Sequence, residues 1–246
     1  MKPCATCSTK PLKKGIFKAI LKDFVKKNLP KTTKGYANKK GYKIEMTGLK
    51  PNVNIFYFGS QSRDFRKSIQ MRNVAYNKLK NSGVTKSNAK GEATFYLTCP
   101  QLYKEPLHKR IYSRHFHFLY YNSKKKGWSN KLYTHKILCD IHQADVKKYM
   151  LSKSVKIVDA LPPVYYAKKH IYGALNMYYK RKYTLSVVQK MLGKNKNIPI
   201  IVYCYSPKCN AAEKLATKLD KLGYHNIYHY VNGISQWNGK IGRNKV

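Results

Sequence analysis

The sequence predicts two domains of different fold class: an all-β sandwich over residues 45–142 and an α/β domain over residues 148–246 with a parallel sheet flanked by helices. The chain has 246 residues, which is enough for two modest domains. Short aromatic and β-branched runs fill the first region, and no long helical period interrupts them. In the second region continuous apolar runs alternate with an amphipathic helix, a pattern typical of a parallel sheet that is covered on both faces.

Residues 1–44 are predicted to be a basic tail or linker with one short amphipathic helix, in the segment GIFKAILKDFVKKN. Its apolar side chains fall at helical spacing: Ile16, Phe17, Ala19, Ile20 and Phe24. Such a helix would lie on the protein's own core, on a partner or on an anionic surface. Cys4 and Cys7 precede it as a Cys-x-x-Cys pair, with no second pair at zinc-ribbon spacing. A metal or redox role, an unstructured tail and a bridge formed on oxidation all stay open there.

The β-sandwich prediction rests on four short runs that are rich in aromatic and β-branched residues. They are NVNIFYFGS, EATFYLTC, HFHFLYY and KLYTHKILC. The segment NSGVTKSNAKGEA lies between two of them and is rich in turn-forming residues. Strands that follow one another without long helices favour antiparallel pairing in a sandwich.

The charge is strongly positive, since 50 Lys and Arg against 10 Asp and Glu give a formal net charge of +40. A chain of this kind attracts polyanions, so nucleic acid, an anionic membrane or an acidic protein is an expected partner. The alternative is compositional, because Lys, Asn, Tyr and Ile are all abundant. The few carboxylates are scattered singly, which argues against paired-carboxylate catalysis and against an all-oxygen metal site.

The second region contains three apolar runs, SVKIVDA, IPIIVYC and NIYHYV, which predict strands of a parallel sheet. The segment AAEKLATKLDKLG predicts an amphipathic helix that is capped at its C-terminus by Gly223. The apolar face of that helix consists of Ala212, Leu215, Ala216, Leu219 and Leu222.

Cys204 comes directly after the strand IPIIVY, where ligands of open parallel sheets bind. The loop that follows it leads into the helix and consists of Tyr205, Ser206, Pro207, Lys208, Cys209 and Asn210. A capping box between Asn210 and Glu213 would begin the helix, with Ser206 before a proline as the alternative start. We expect the loop amides and Lys208 to lower the pKa of the Cys204 thiol and to favour a nucleophilic thiolate.

Residues 148–246 resemble a single rhodanese domain in three segments: VKIVDALPPVYYAKKHIYGALNM, IPIIVYCYSPKCNAAEKLATKLDKLGY and NIYHYVNGISQW. The family's landmarks match in order at Asp159, His170, Gly173, Ala174, Asn176, Cys204, Gly233 and Trp237. The resemblance implies a parallel sheet flanked by helices. It gives Asp159 and His170 structural roles, as a loop anchor and as a satisfied polar contact.

The same resemblance implies a sulfurtransferase in which Cys204 takes a sulfur atom from a small donor, becomes a persulfide and passes the sulfur to a thiol acceptor. It implies no cofactor for that reaction. The family's loop often ends with an arginine, whereas Cys209 stands at that position here, which weakens the expectation that thiosulfate is the donor. Cys209 either resolves the persulfide by forming a disulfide or is a small packing residue.

Residues 72–138 are similar to the β-sandwich of intradiol ring-cleaving dioxygenases, in the segment AYNKLKNSGVTKSNAKGEATFYLTCPQLY followed by SRHFHF and KLYT. That resemblance implies an Fe(III) site formed by Tyr76, Tyr103, His115 and His117. Independently, His115 and His117 are predicted to point to the same side of a strand, because side chains alternate with a period of two. Imidazoles and phenolates suit Fe(III), a hard ion.

Three functions follow from these observations. The first is a sulfurtransferase, the second a non-catalytic basic protein that packages nucleic acid or another polyanion, and the third an iron-dependent oxygenase. The N-terminus lacks the apolar core of a secretory signal and no apolar run would span a bilayer, so we expect an intracellular, cytoplasmic protein. The composition and the domain pairing are also similar to those of large DNA virus proteins, which implies a place in the virus particle.

Overall fold

The computed structural model describes residues 2–3, 25–38, 41–105 and 110–244. The chain divides into two compact units, Met1–Ile137 and Leu138–Val246. The predicted amphipathic face at residues 16–24 and the Cys4–Cys7 pair lie outside the described residues. The boundary between the units falls inside the strand Tyr133–Asp140, a few residues before the predicted end of the sandwich.

The first unit consists mainly of short β-strands. They are β1 Lys2–Pro3, β2 Tyr42–Met46, β3 Asn54–Gly59, β4 Gln70–Met71, β5 Asn81–Lys86, β6 Ala93–Leu97, β7 Tyr103–Lys104, β8 Ile111–Tyr112, β9 His115–Asn122, β10 Gly127–Trp128 and the start of β11 Tyr133–Asp140. Helical turns among the described residues of this unit are a 3-10 turn at Lys26–Asn28, helix α1 at Arg72–Tyr76 and a 3-10 segment at Asn77–Leu79. All four runs that predicted strands contain strands.

The strands of the first unit are divided among three sheets. The largest is antiparallel in the order β11–β9–β3–β5, with β10 paired to β9, and strands β2 and β6 form a separate antiparallel pair. A third sheet has the order β4–β7–β8, in which β4 and β7 run parallel. The sequence predicts the antiparallel strands, but it does not predict their division among three sheets or the parallel pair.

The core of the first unit lies around strand β3, whose residues from Ile55 to Gly59 are all buried. A strand that is buried along its whole length is covered on both faces, so its sequence is a continuous apolar run rather than an alternation of apolar and polar residues. On one side it packs in a cluster that includes Phe56, Phe58, Tyr76 and Tyr103. This cluster places the two tyrosines beside the histidines of β9.

The second unit alternates strands and helices as predicted. In chain order it contains the end of β11, α2 Gln143–Tyr149, β12 Lys156–Asp159, α3 Pro163–Lys168, β13 His170–Ile171, β14 Leu175–Asn176, α4 Leu185–Leu192, β15 Ile200–Tyr203, α5 Ala211–Lys221, β16 Ile227–Tyr230, a 3-10 turn Ile234–Gln236 and β17 Ile241–Gly242. Its sheet is parallel in the order β14–β12–β15–β16, and Cys139 and Asp140 of β11 pair with β16. β13 and β17 form a small antiparallel pair.

Helix α5 has the predicted apolar face, since Ala212, Leu215, Ala216 and Leu219 are buried. It ends before Gly223, whose φ of +92° lies in the left-handed region that favours glycine after a helix. Within the described part of the chain, no helix has the length and apolarity needed to cross a bilayer.

Candidate functional site

The Cys204 thiol lies where strand β15 ends and the loop to α5 begins. Its side chain is 1% exposed, and Sγ donates a hydrogen bond to the backbone carbonyl of Cys209 at 3.1 Å. The backbone N–H of Cys209 donates in turn to the carbonyl of Ser206 at 2.9 Å, which closes a tight turn. Both Cys204 and Cys209 are free thiols. The short loop thus wraps the sulfur closely.

Burial raises the pKa of the Cys204 thiol to about 12, and the neighbouring Cys209 side chain adds to the rise. The backbone amides of Ala212 and Tyr205 act on the same sulfur and lower the pKa, but by less. The expected lowering of this pKa is therefore wrong, because removing the thiolate from water outweighs the two amides. The two amides lie near the sulfur, but the Cys204 side chain is a neutral thiol at rest.

The start of helix α5 also differs from the prediction. The helix begins at Ala211, and the side chain of Asn210 makes no capping hydrogen bond. The predicted capping box with Glu213 is therefore wrong. The Ser206 carbonyl, rather than its side chain, accepts the bond that shapes the loop, and Lys208 is exposed. Loop geometry instead of a side-chain cap directs the N-terminus of α5 toward Cys204.

We expect alkylation of Cys204 by iodoacetamide to become steadily faster from about pH 7 to about pH 10, because the thiolate fraction grows about tenfold per pH unit below the pKa. Peptide mass spectrometry would follow the modification of each cysteine. The same chain in denaturant is the control, where the rate should level off above about pH 8.5. A plateau near neutral pH in the folded protein would contradict the raised pKa.

Gly233 lies against the backbone of Cys204 and Tyr205, where the loop after β15 begins. A Cβ at this position would lie 2.5 Å from the carbonyl oxygens of both Cys204 and Tyr205, and the φ of +62° disfavours other residues. The next two backbone amides, those of Ile234 and Ser235, donate to the same two carbonyls at 2.9 Å each. The chain after Gly233 therefore fixes the backbone of the cysteine.

Gly233→Ala should lower the free energy of unfolding by more than about 2 kcal/mol, since a side chain there combines an unfavourable φ with overlap against backbone atoms. Gly193→Ala is the matched control, because its φ is +95° but no atom lies within 4 Å of the added Cβ. We expect that control to cost less than Gly233→Ala, because only the backbone conformation opposes the added side chain there. Urea unfolding curves with equal slopes would measure the difference, and equal losses for the two variants would contradict the close approach.

Asp159 and His170, to which the resemblance gives structural roles, are both buried beside backbone hydrogen-bond partners. Asp159 is fully buried and accepts a hydrogen bond from the Leu161 amide at 2.8 Å. Burial raises its pKa to about 6, against the opposing effects of the Leu161 amide and the Tyr203 hydroxyl. His170 places Nδ1 2.7 Å from the Tyr166 carbonyl and stacks on the Tyr166 ring at 3.9 Å between centroids.

A cavity of about 430 Å³ lies at the same end of the parallel sheet. It is lined by Pro163, Asn176, Tyr178, Lys180, Arg181 and Tyr183. The Asn176 side chain is held in place because its amide nitrogen donates to the carbonyls of Leu161, at 2.8 Å, and of Asp159, at 3.3 Å. The two cations of this cavity, Lys180 and Arg181, are not among the predicted site residues, although their position shortly after the family's Asn176 landmark is a usable signal.

The four residues that were predicted to bind iron come together in the first unit. Nε2 of His115 lies 3.2 Å from Nε2 of His117, 3.0 Å from the Tyr103 hydroxyl and 3.5 Å from the Tyr76 hydroxyl. All four side chains are buried. The prediction that His115 and His117 point to the same side of their strand is confirmed.

Two further contacts hold the histidine rings of this cluster. Nδ1 of His115 lies 2.6 Å from the Ser113 carbonyl, which only accepts, so Nδ1 carries the proton in the neutral ring. Nδ1 of His117 lies 2.7 Å from the Thr134 hydroxyl. Such contacts are typical of the partners that orient metal-binding histidines. No group of three or more His, Cys, Asp and Glu side chains suited to a metal occurs in the described part of the chain, so a cation here would need the tyrosines.

A family model matches the C-terminal part of the chain. Residues 142–240 match the family model of the rhodanese-like domain. No curated protein matches the chain. Among solved structures, the BH2092 protein from Bacillus halodurans is 26% identical over 43% of this chain and 77% of its own, with a TM-score of 0.38.

Two further structures are similar at lower identity. An uncharacterized protein from Saccharomyces cerevisiae is 21% identical over 41% of this chain and 90% of its own, with a TM-score of 0.35. A variant of EanB in complex with ergothioneine is 20% identical over 38% of this chain, with a TM-score of 0.34. The match spans only 24% of the EanB chain.

Proposed function

Because residues 142–240 form a rhodanese-like domain, we propose that the chain is a sulfurtransferase in which Cys204 carries the transferred sulfur. The observation that carries this proposal is the position of Cys204 at the carboxyl end of β15, with the Tyr205 and Ala212 amides acting on its sulfur. Amides placed in this way favour an anion at the end of the side chain.

The reaction begins when Cys204 loses its proton to water and the thiolate attacks the outer sulfur of the donor. A bond forms between that sulfur and Sγ, and the rest of the donor leaves with the bonding electrons, as sulfite when thiosulfate is used. A thiol acceptor, as its thiolate, then attacks the outer sulfur and the Cys204 thiolate leaves. The amides of Tyr205 and Ala212 offset part of the charge on the cysteine in both steps.

The cations of the 430 Å³ cavity would bind an anionic donor. Lys180 and Arg181 line this cavity, and both are exposed to solvent. They would supply the positive charge that an arginine at the position of Cys209 often provides in the family. Guanidinium and ammonium groups bind oxyanions through charge-assisted hydrogen bonds.

Replacing Lys180 and Arg181 together by alanine should raise KM for thiosulfate about tenfold and leave kcat within about twofold, because the cations bind the donor but do not contact the reacting sulfur. Steady-state kinetics at constant ionic strength would measure both constants. Lys182→Ala removes a neighbouring exposed charge outside the cavity and serves as the control. An equal effect of Lys182→Ala would place the donor elsewhere.

Intact-protein mass spectrometry after incubation with thiosulfate or with a persulfide donor tests the proposal as a whole. The wild-type protein should gain one sulfur atom, which cyanide should remove as thiocyanate. If no donor gives an adduct on folded protein whose Cys204 can be alkylated, the sulfurtransferase proposal fails. That result would favour a non-catalytic basic protein that packages nucleic acid or another polyanion through its net charge of +40.

A second proposed function concerns the first unit: Tyr76, Tyr103, His115 and His117 hold Fe(III). Nε2 of His115 lies within 3.5 Å of both phenol oxygens and of Nε2 of His117, which supports the proposal, as does the fixed orientation of both rings. This donor set fits a hard trivalent ion. A bound Fe(III) would supply the oxygen-dependent ring-cleavage chemistry that the dioxygenase resemblance implies.

A further inference from the structure

A second, larger cavity lies in the first unit, and its wall contains no residue of the Cys204 loop. Its volume is about 570 Å³, within the range of pockets that bind small molecules. The wall is formed by the segment after β3, by helix α1 and by the residues just before β7. None of the four residues of the tyrosine–histidine cluster lines it.

Three side chains in the wall have buried polar atoms with no hydrogen-bond partner in the described part of the chain. They are Nε2 of Gln61, Nε of Arg63 and Oε1 of Gln101. A buried polar atom without a partner is unfavourable, so these three side chains would gain a partner by turning toward the cavity, where a bound polar molecule can reach them. Gln101 is only 8% exposed.

The backbone of the two glutamines is hydrogen-bonded to neighbouring residues. The Gln61 amide donates to the Ala75 carbonyl at 2.7 Å, and the Gln101 amide donates to the Gln61 carbonyl at 3.2 Å. The Ser60 hydroxyl donates to the Gln101 carbonyl at 2.8 Å. These bonds hold the backbone of the two glutamines in place, so only their side chains would need to move toward a bound molecule.

Backbone strain occurs at the rim of the same cavity. Asn77, Lys78 and Leu79 follow one another with φ values of 38°, 52° and 58°, in the left-handed region that residues other than glycine seldom adopt. Asn77 and Lys78 line the cavity. Consecutive strained residues of this kind concentrate at binding sites, where the conformation serves to aim side chains.

The chemistry of the wall selects the kind of molecule. Arg63 and Lys78 supply two positive charges, and no Asp or Glu is part of the wall. Five of the nine residues in the wall carry side-chain amides, which both donate and accept hydrogen bonds: Gln61, Gln70, Asn73, Asn77 and Gln101. An anionic group would pair with the two cations, and neighbouring hydroxyl groups would bond with the amides.

We propose that this cavity binds a small anion that carries several hydroxyl groups, a sugar phosphate being the simplest member of the class. The phosphate would contact Arg63 and Lys78. Once the two glutamine side chains turn toward the cavity, a hydroxyl would donate to Oε1 of Gln101 and another would accept from Nε2 of Gln61, so that these two buried atoms gain partners. The proposal is independent of the sulfur-transfer reaction and of iron.

Isothermal titration calorimetry of the full chain with ribose 5-phosphate, at about 0.15 M salt to screen the general positive charge, tests it. We expect saturable binding of one molecule per chain, with ribose and inorganic phosphate each at least about tenfold weaker. Gln101→Leu and Lys78→Ala should each weaken binding at least about fivefold. Lys90→Ala, which removes an exposed charge outside the cavity, should leave the affinity unchanged.

The proposal would be overturned by no saturable binding of ribose 5-phosphate, by inorganic phosphate binding as tightly as ribose 5-phosphate, or by an equal loss in Lys90→Ala. Circular dichroism would confirm that each variant is folded. If Gln101→Leu does not fold, Asn73→Ala replaces it, because Asn73 lines the cavity but is exposed and its truncation leaves the core intact. Unchanged affinity in both Asn73→Ala and Lys78→Ala would also overturn the proposal.

Discussion

Replacing Cys204 by serine should reduce sulfur transfer at least about a thousandfold, because a serine hydroxyl is a far weaker nucleophile and cannot hold the sulfur as a persulfide. The size of the side chain and the turn at Cys209 are preserved in this variant, so the loss would report chemistry rather than folding. Thiocyanate formation with thiosulfate or a persulfide donor measures the rate, and thermal unfolding checks stability.

Cys209→Ser is the matched control, since it removes the other free thiol of the same loop. If Cys209 only packs, this variant should transfer sulfur within about threefold of the wild type. If Cys209 resolves the persulfide, its thiolate attacks Sγ of Cys204, hydrosulfide leaves and a Cys204–Cys209 disulfide forms, so the variant should accumulate more persulfide. A loss in Cys209→Ser as large as in Cys204→Ser would contradict Cys204 as the sulfur carrier.

Loading the protein with Fe(III) should give one bound iron per chain and a visible absorption band from phenolate-to-iron charge transfer, if the tyrosine–histidine cluster binds the ion. Replacing His115 and His117 together by leucine should abolish both the bound metal and the band, because it removes both imidazole ligands. Metal analysis and the absorption spectrum are independent of any catalytic assay. His135→Gln is the control, since His135 is a buried histidine on the adjacent strand β11 that is outside the cluster.

A colourless protein that retains no iron would contradict this site, and so would loss of iron in His135→Gln. In that case the same contacts act as hydrogen bonds. The Tyr103 hydroxyl donates to Nε2 of His115, and Nδ1 of His115 donates to the Ser113 carbonyl. Either outcome leaves the sulfur-transfer proposal untouched, because the two sites lie in different units.

The strands and helix α5 are predictable because their signals are local. Continuous apolar runs identify β12, β15 and β16, and the spacing of Leu215 and Leu219 identifies α5. The common side of His115 and His117 follows from strand periodicity alone. The approach of Tyr76 and Tyr103 to these histidines does not follow from local periodicity, because it depends on the packing of α1 and β7 against β9. Only the family resemblance predicts it.

The protonation of Cys204 shows why the chemistry of a site is harder to predict than its position. Sequence spacing places the thiol near amides, but the pKa depends on how deeply the sulfur is buried, which no local pattern encodes. The cavity with Gln61 and Gln101 also cannot be predicted from the sequence. Glutamine has no spacing signature, and these two residues are 40 positions apart in the chain.

The two bonds from Ile234 and Ser235 to the carbonyls of Cys204 and Tyr205 also have a consequence for synthesis. During translation the cysteine emerges from the ribosome well before these residues do. Until Gly233 and its successors have folded against the loop, the nascent chain contains the thiol without its fixed surroundings. The fixed backbone around the Cys204 thiol can therefore form only after residues 233–235 have been synthesised and have folded against the loop.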